Sequence, residues 1–269
     1  MIAVSRSLGR VLPEDARLIH DPFGERFATP FLRFVANNAT WLLPVIESTL
    51  ATVQVRTRLI DEALISFLEQ GGSQVLLLGA GYDARAARFA ERLGDARVFE
   101  IDHPATQADK RARLPDPASV HYLPWDFERS PVAELPAALA ALGHEPTRPT
   151  LTIWEGVTMY LSEPAVDTTA RAIAALSAPG SRFVFTYVER GALERPGFVY
   201  RLVAKLVSFV GEPLRFGFEP SELPSWTASR GFTLEHDVSF HDAAELLLPA
   251  RLAAQVERRM RVAFATRAQ

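Results

Sequence analysis

The sequence predicts an α/β fold: a doubly wound, mostly parallel seven-stranded sheet with helices on both faces. Two observations carry this. Apolar runs of strand length alternate with alanine-rich helical stretches between residues 74 and 188. Those runs are continuously apolar, as strands covered on both faces require. In sheets of this plan ligands bind beyond the carboxyl ends of the strands, so the residues just after each run are the ones to read for function.

In chain order, the opening residues, 1–46, read as a helical cap with turns at Pro13, Pro22 and Pro30. A long helix follows, about Glu47 to Gln70. Its Leu50, Val53, Leu59, Ile60, Ala63, Leu64, Phe67 and Leu68 hold near-helical spacing, and Gly71-Gly72 stops it. Strands are expected at Gln74–Gly79, Arg97–Ile101, Val120–Pro124, Thr150–Trp154 and Arg182–Val188, with helical stretches such as Ala84–Leu93 and Pro164–Ala178 between them. Residues 189–220 break the alternation and read as an inserted helical lid, apolar through FVYRLVAKLVSFV. The pattern then resumes with a helix near Glu222–Arg230, a strand near Phe232–Val238, a helix near Ala243–Arg259 and a strand near Arg261–Thr266. No linker divides the chain, so 1–269 is expected to be one domain.

Composition narrows the function. The 269 residues, 48% of them hydrophobic, suit one large α/β domain with an insertion. A net charge of −3 with dispersed basic residues argues against nucleic-acid binding. With no cysteine, disulfides and cysteine-ligated metals are excluded, which is compatible with an expected cytoplasmic location. The start lacks an apolar signal core. Phe31 to Ile46 is broken by Arg33, Asn37 and Asn38, too short and polar to insert in a membrane. Only Lys110 and Lys205 among the 29 basic residues are lysines, which with the abundant alanine suggests a GC-rich bacterial genome. His20, His103, His121, His144, His236 and His241 are scattered, so neither a catalytic triad nor a metal site is expected. The oligomeric state stays open.

Four motifs fall at four strand ends. Leu78-Gly79-Ala80-Gly81-Tyr82-Asp83-Ala84 follows the first strand, where glycines let a ligand approach the backbone and a helix start favours polar groups. Asp83 is a candidate N-cap. Phe99-Glu100-Ile101-Asp102-His103 ends the second strand, and Asp102 is placed to accept from ribose hydroxyls, or else to cap the helix before Pro104. Glu100, one position back on the same face, lies too deep. Leu123-Pro124-Trp125-Asp126-Phe127-Glu128 suits an adenine pocket and equally an ordinary turn. Trp154-Glu155-Gly156-Val157-Thr158-Met159-Tyr160-Leu161 offers Glu155 to a ligand ammonium, or is a solvated loop. The first two motifs fit NAD and S-adenosylmethionine alike. NAD has no ammonium for Glu155, so the fourth begins to separate them.

The chain resembles the leucine carboxyl methyltransferase family, in particular its bacterial branch of small-molecule, polyketide-type O-methyltransferases. The similar strings are VRTRLIDEAL (55–64), LLGAGYDARAARF (77–89), EIDHPATQADKR (100–111), WDFE (125–128), EGVTMYL (155–161) and GEPLRFGF (211–218). The resemblance spans about Ser5 to Thr266. It implies a class I, Rossmann-like methyltransferase fold and S-adenosylmethionine as cofactor, with S-adenosylhomocysteine as product. It further implies that Arg56 pairs with the cofactor carboxylate and that Gly79, Ala80 and Gly81 line methionine and ribose. Asp102 would hold the ribose, Asp126 and Phe127 the adenine, and Glu155 the methionine moiety. Without the resemblance Arg56 reads as a solvated helix residue.

The expected reaction is in-line transfer of the sulfonium methyl to an oxygen of a small acceptor, in the setting of secondary metabolism. Alignment supplies most of the catalysis, about 7–11 kcal/mol at best. A carboxylate acceptor needs no base, whereas a phenol, with a pKa of about 10, does. The greasy face of Phe198, Val199, Leu202, Leu206 and Phe209 suggests a hydrophobic acceptor, or packs onto the domain. Tyr160, Tyr187 and Arg215 are the candidate acceptor contacts. The alternatives are an NAD-dependent oxidoreductase and a non-catalytic S-adenosylmethionine-binding protein.

Overall fold

The protein is described from a computed structural model, which covers residues 2–28, 43–114, 119–127, 129–194 and 214–268. Seven strands form one sheet: β1 (Gln74–Leu78), β2 (Arg97–Asp102), β3 (Val120–Pro124), β4 (Leu151–Trp154), β5 (Arg182–Val188), β6 (Phe232–Ser239) and β7 (Met260–Arg267). Their order is β3-β2-β1-β4-β5-β7-β6. The pairings among β1 to β5 are parallel, whereas β7 runs antiparallel to both β5 and β6. Dinucleotide-binding sheets have the order 3-2-1-4-5-6. The insertion of an antiparallel β7 between β5 and β6 departs from it.

The continuous apolar runs arise because successive residues face opposite layers. Val75 and Leu77 enter one hydrophobic cluster, Leu76 and Leu78 the other. Helix α1 (Ile2–Leu8) and the long α2 (Leu43–Glu69) lie on the first side. Leu50, Ile60, Leu64 and Phe67 of α2 are buried there. On the second side, Val166 and Ile173 of a helix at Glu163–Ala175 pack with Phe183, Phe185 and Tyr187.

Two helices expected as single are broken. Arg85–Arg88 and Ala90–Leu93 are separate turns, divided at Phe89 (φ −110°, ψ 20°). Farther on, Phe240–Leu247 and Ala250–Ala253 are divided because Pro249 forces the preceding residue out of the helical region, and Leu248 is extended. The long helix starts at Leu43, four residues before the expected Glu47.

The insertion leaves and returns through one neck. Glu189 bridges Phe218, Arg190 N–H donates to the Phe218 carbonyl, and Phe218 N–H donates to that of Val188. Gly217 is required here, since a Cβ would lie 2.8 Å from the Val188 carbonyl oxygen. Phe198, Val199, Leu202, Leu206 and Phe209 lie outside the described residues, as does Glu128.

Candidate functional site

β1 pairs with β2 on one side and β4 on the other, so the order of the sheet reverses beside it. A crevice at such a reversal is where doubly wound sheets bind ligands. The carboxyl ends of β1, β2, β3 and β4 carry Gly79–Gly81, Asp102, Asp126 and Glu155 respectively.

The glycine loop is stitched to β2. Gly79 and Ala80 N–H groups both donate to the Ile101 carbonyl, and Gly81 N–H donates to Asp102 Oδ2 at 2.5 Å. Asp102 Oδ1 accepts from the His103 N–H at 2.7 Å. Each oxygen keeps acceptor capacity, because a carboxylate oxygen carries two lone pairs. Gly79 has φ +65°, and a Cβ there would lie 2.5 Å from Val157 Cγ2, so only glycine fits. His103, not Asp102, caps the next helix, through Nδ1 to Ala105 N–H. Asp126 Oδ2 lies 3.9 Å from His103 Nε2, Trp125 is buried, and Phe127 packs against the second core cluster.

Arg56 is a correction to the residue-level reading. Instead of pointing to solvent it is 5% exposed, with Nη2 2.6 Å from Glu155 Oε1. Glu155 holds a second guanidinium to which no sequence pattern pointed, that of Arg85. Arg85 Nη1 lies 2.5 Å from both Glu155 Oε2 and Asp83 Oδ2, and Nε lies 2.7 Å from Asp61 Oδ1. Arg88 Nη2 is 2.5 Å from Asp61 Oδ2. Asp83 also accepts the Arg85 N–H, so its carboxylate fixes the turn into the helix without being the N-cap. The available signal was charge on a buried helix face: Asp61 follows Ile60 on the apolar side of α2.

Burial opposes the charge on Glu155, but Arg56 and Arg85 outweigh it and hold the carboxyl at about pKa 2. Burial likewise opposes the Arg85 charge, and Asp83, Glu155 and Asp61 overcome it, so its pKa stands above the usual range. The cluster is therefore ionised at neutral pH. Arg56 Nε and Arg85 Nη2 have no hydrogen-bond partner among the described residues. Buried cations with spare donors beside a carboxylate match a zwitterion. Nearby, burial pushes Glu100 up to about 7, although Lys110 Nζ lies 2.5 Å from its Oε2.

The cap lies over this end of the sheet. Arg6 Nη2 donates to the Tyr82 carbonyl at 2.7 Å, and Arg88 Nε to that of His20. The returning arm of the insertion lies over the β4 loop, with Arg215 N–H donating to the Met159 carbonyl at 2.8 Å. That contact puts exposed Arg215 next to the turn holding half-buried Tyr160. Tyr187 is placed elsewhere. It is fully buried, and its hydroxyl is bound to Asp237, which also pairs with Arg261. This commits Tyr187 to the core and removes it as an acceptor contact. Among the described residues no group of His, Asp and Glu is arranged to hold a metal ion.

The chain is similar over its full length to a crystal structure from Thermobifida fusca provisionally named a methyltransferase. The TM-score is 0.62 at 18% identity, covering 100% of this chain and 95% of that one, a likeness of fold. A Streptomyces coelicolor protein is 40% identical over 149 residues, covering 54% of this chain and 51% of its own, so this chain spans about half the length of that relative. A Frankia alni protein is 34% identical over 209 residues, 72% of this chain and 70% of its own. Both carry the provisional name of S-adenosyl-L-methionine-dependent methyltransferase, the cofactor that the family resemblance implies. The profile of the leucine carboxyl methyltransferase family matches residues 1–174, the stretch that contains the glycine loop, Asp102, Asp126 and the Arg56–Glu155–Arg85 cluster, and the chain belongs to that family.

Proposed function

We propose that the chain is an S-adenosylmethionine-dependent O-methyltransferase acting on a carboxylate or hydroxyl of a small, hydrophobic acceptor. One observation carries the cofactor: a buried, ionised Arg56–Glu155–Arg85 cluster at the strand-order reversal, beside a glycine loop and Asp102. Arg56 and Arg85 would hold the cofactor carboxylate and Glu155 its ammonium. Gly79, Ala80 and Gly81 would admit the methionine and ribose, Asp102 would bind the ribose hydroxyls, and Asp126 with Phe127 the adenine. When bound, the cofactor supplies a methyl group activated by a positive sulfur.

The chain's own task is then alignment and exclusion of water. The cap and the returning arm flank the strand ends and are fitted to both. Arg215 and Tyr160 are the polar contacts we assign to the acceptor, and an oxygen acceptor that is already ionised needs no base from the chain.

The test is incubation with methyl-labelled S-adenosylmethionine and a panel of carboxylic acids and phenols alongside amines, thiols and acidic carbon compounds. The expected result is labelled product with stoichiometric S-adenosylhomocysteine. Label released as methanol by mild base marks a carboxyl ester, and label retained marks an ether. Label on nitrogen, carbon or sulfur acceptors alone contradicts the reading.

A further inference from the structure

At the opposite end of the sheet, where β5 begins and β7 ends, lies a hollow of about 410 Å³ lined by Arg171, Arg230, Arg267, Ser229 and Gly231. Among the described residues no carboxylate lines it. The nearby Asp167 is already shared, accepting from Arg171 Nε at 2.8 Å and pairing with Arg230 Nη2. Three guanidiniums against one carboxylate leave a local charge of about +2, in a chain whose net charge is −3.

The arginines are held in place by the fold. Arg230 lies with Cζ 4.2 Å from the Trp226 ring centroid and donates through Nη1 to the Trp226 carbonyl. Its side chain is 8% exposed, and Nε has no partner among the described residues. Burial lowers the Arg230 pKa, so the fold keeps a cation there at a cost. Arg267 Nη1 donates to the Arg230 carbonyl at 2.6 Å, in space that a Cβ at Gly231 (φ +75°) would take.

We propose that this hollow binds a soluble phosphate-type dianion, inorganic phosphate or a small phosphate monoester. Guanidinium donors match its oxygens, and its charge offsets the excess; the Ser229 hydroxyl is already committed, donating to the Trp226 carbonyl at 2.8 Å. Among the described residues that line the hollow none is a large apolar side chain, the apolar ones being Ala174 and Ala175, which favours a soluble ligand over a lipid surface.

The test is titration calorimetry of the full chain at fixed ionic strength with inorganic phosphate and with glycerol 3-phosphate. Vesicles of phosphatidylcholine with phosphatidic acid form a separate arm, and chloride is the control. Arg171→Gln and Arg267→Gln are the variants; Arg171 is 67% exposed, so its replacement leaves folding intact, as thermal unfolding in chloride verifies. The expected result is saturable binding to wild type, weakened about tenfold in each variant. Absence of saturable binding, affinity unchanged in either variant, or binding to vesicles alone overturns the proposal.

Discussion

Glu155 sits between two guanidiniums with its side chain 10% exposed, so its charge and theirs depend on each other. Glu155→Gln leaves Arg56 and Arg85 buried with less compensation and is expected to cost about 3 kcal/mol or more in urea unfolding at pH 7. The pH dependence has a definite sign. The folded pKa, about 2, is below the ordinary 4.5, so the contribution of Glu155 is complete above 4.5 and is lost as pH falls toward 2. The variant lacks that part of acid unfolding. Glu100 runs the other way. Its folded pKa, about 7, is raised, so its contribution is present below 4.5 and lost as pH rises through 7. Thermal melts of Glu100→Gln are expected to show a flatter pH slope between 4.5 and 7 than wild type. Asp102→Ala removes a charge-assisted acceptor worth about 1.5–3 kcal/mol, expected as a ten- to hundredfold weaker S-adenosylhomocysteine affinity by calorimetry. At this scale Asp102 and Glu155 could be picked out from the sequence because each closes an apolar strand. Arg85 could not, because its partners come from α2, its own loop and β4, which only the tertiary structure brings together.

Elements obeyed the apolar pattern where burial on both faces dictated it. β3 and β5 occupy their expected residues, and the other five strands differ by one or two. Helix ends were harder to read, because local chemistry competes with periodicity there. Pro249 divides a helix that spacing alone would continue, and Ser239, expected beyond the end of a strand, both closes β6 and caps the helix at Phe240–Leu247. Its hydroxyl oxygen accepts the Asp242 N–H at 3.0 Å. Ser239→Ala is expected to cost about 0.5–2 kcal/mol, read as a lowered melting temperature with cofactor affinity unchanged. The sequence pattern also could not show that β7 enters between β5 and β6 in the antiparallel sense. An apolar strand between two neighbours reads the same in either direction.

For the whole molecule, the strand order, the cap and the neck of the insertion place everything assigned to the cofactor at one end of the sheet. The hollow lined by Arg171, Arg230 and Arg267 lies at the other. The fold alone does not choose a cofactor, since ribose-binding carboxylates and glycine loops serve dinucleotides too. The Arg56–Glu155–Arg85 cluster does favour one, because it matches the zwitterionic end of S-adenosylmethionine and has no counterpart in NAD. Calorimetric titration of the full chain with S-adenosylhomocysteine and, separately, with NAD tests this most directly. Saturable one-to-one binding of S-adenosylhomocysteine and none of NAD is the expected result. Saturable NAD binding with no S-adenosylhomocysteine binding would contradict it.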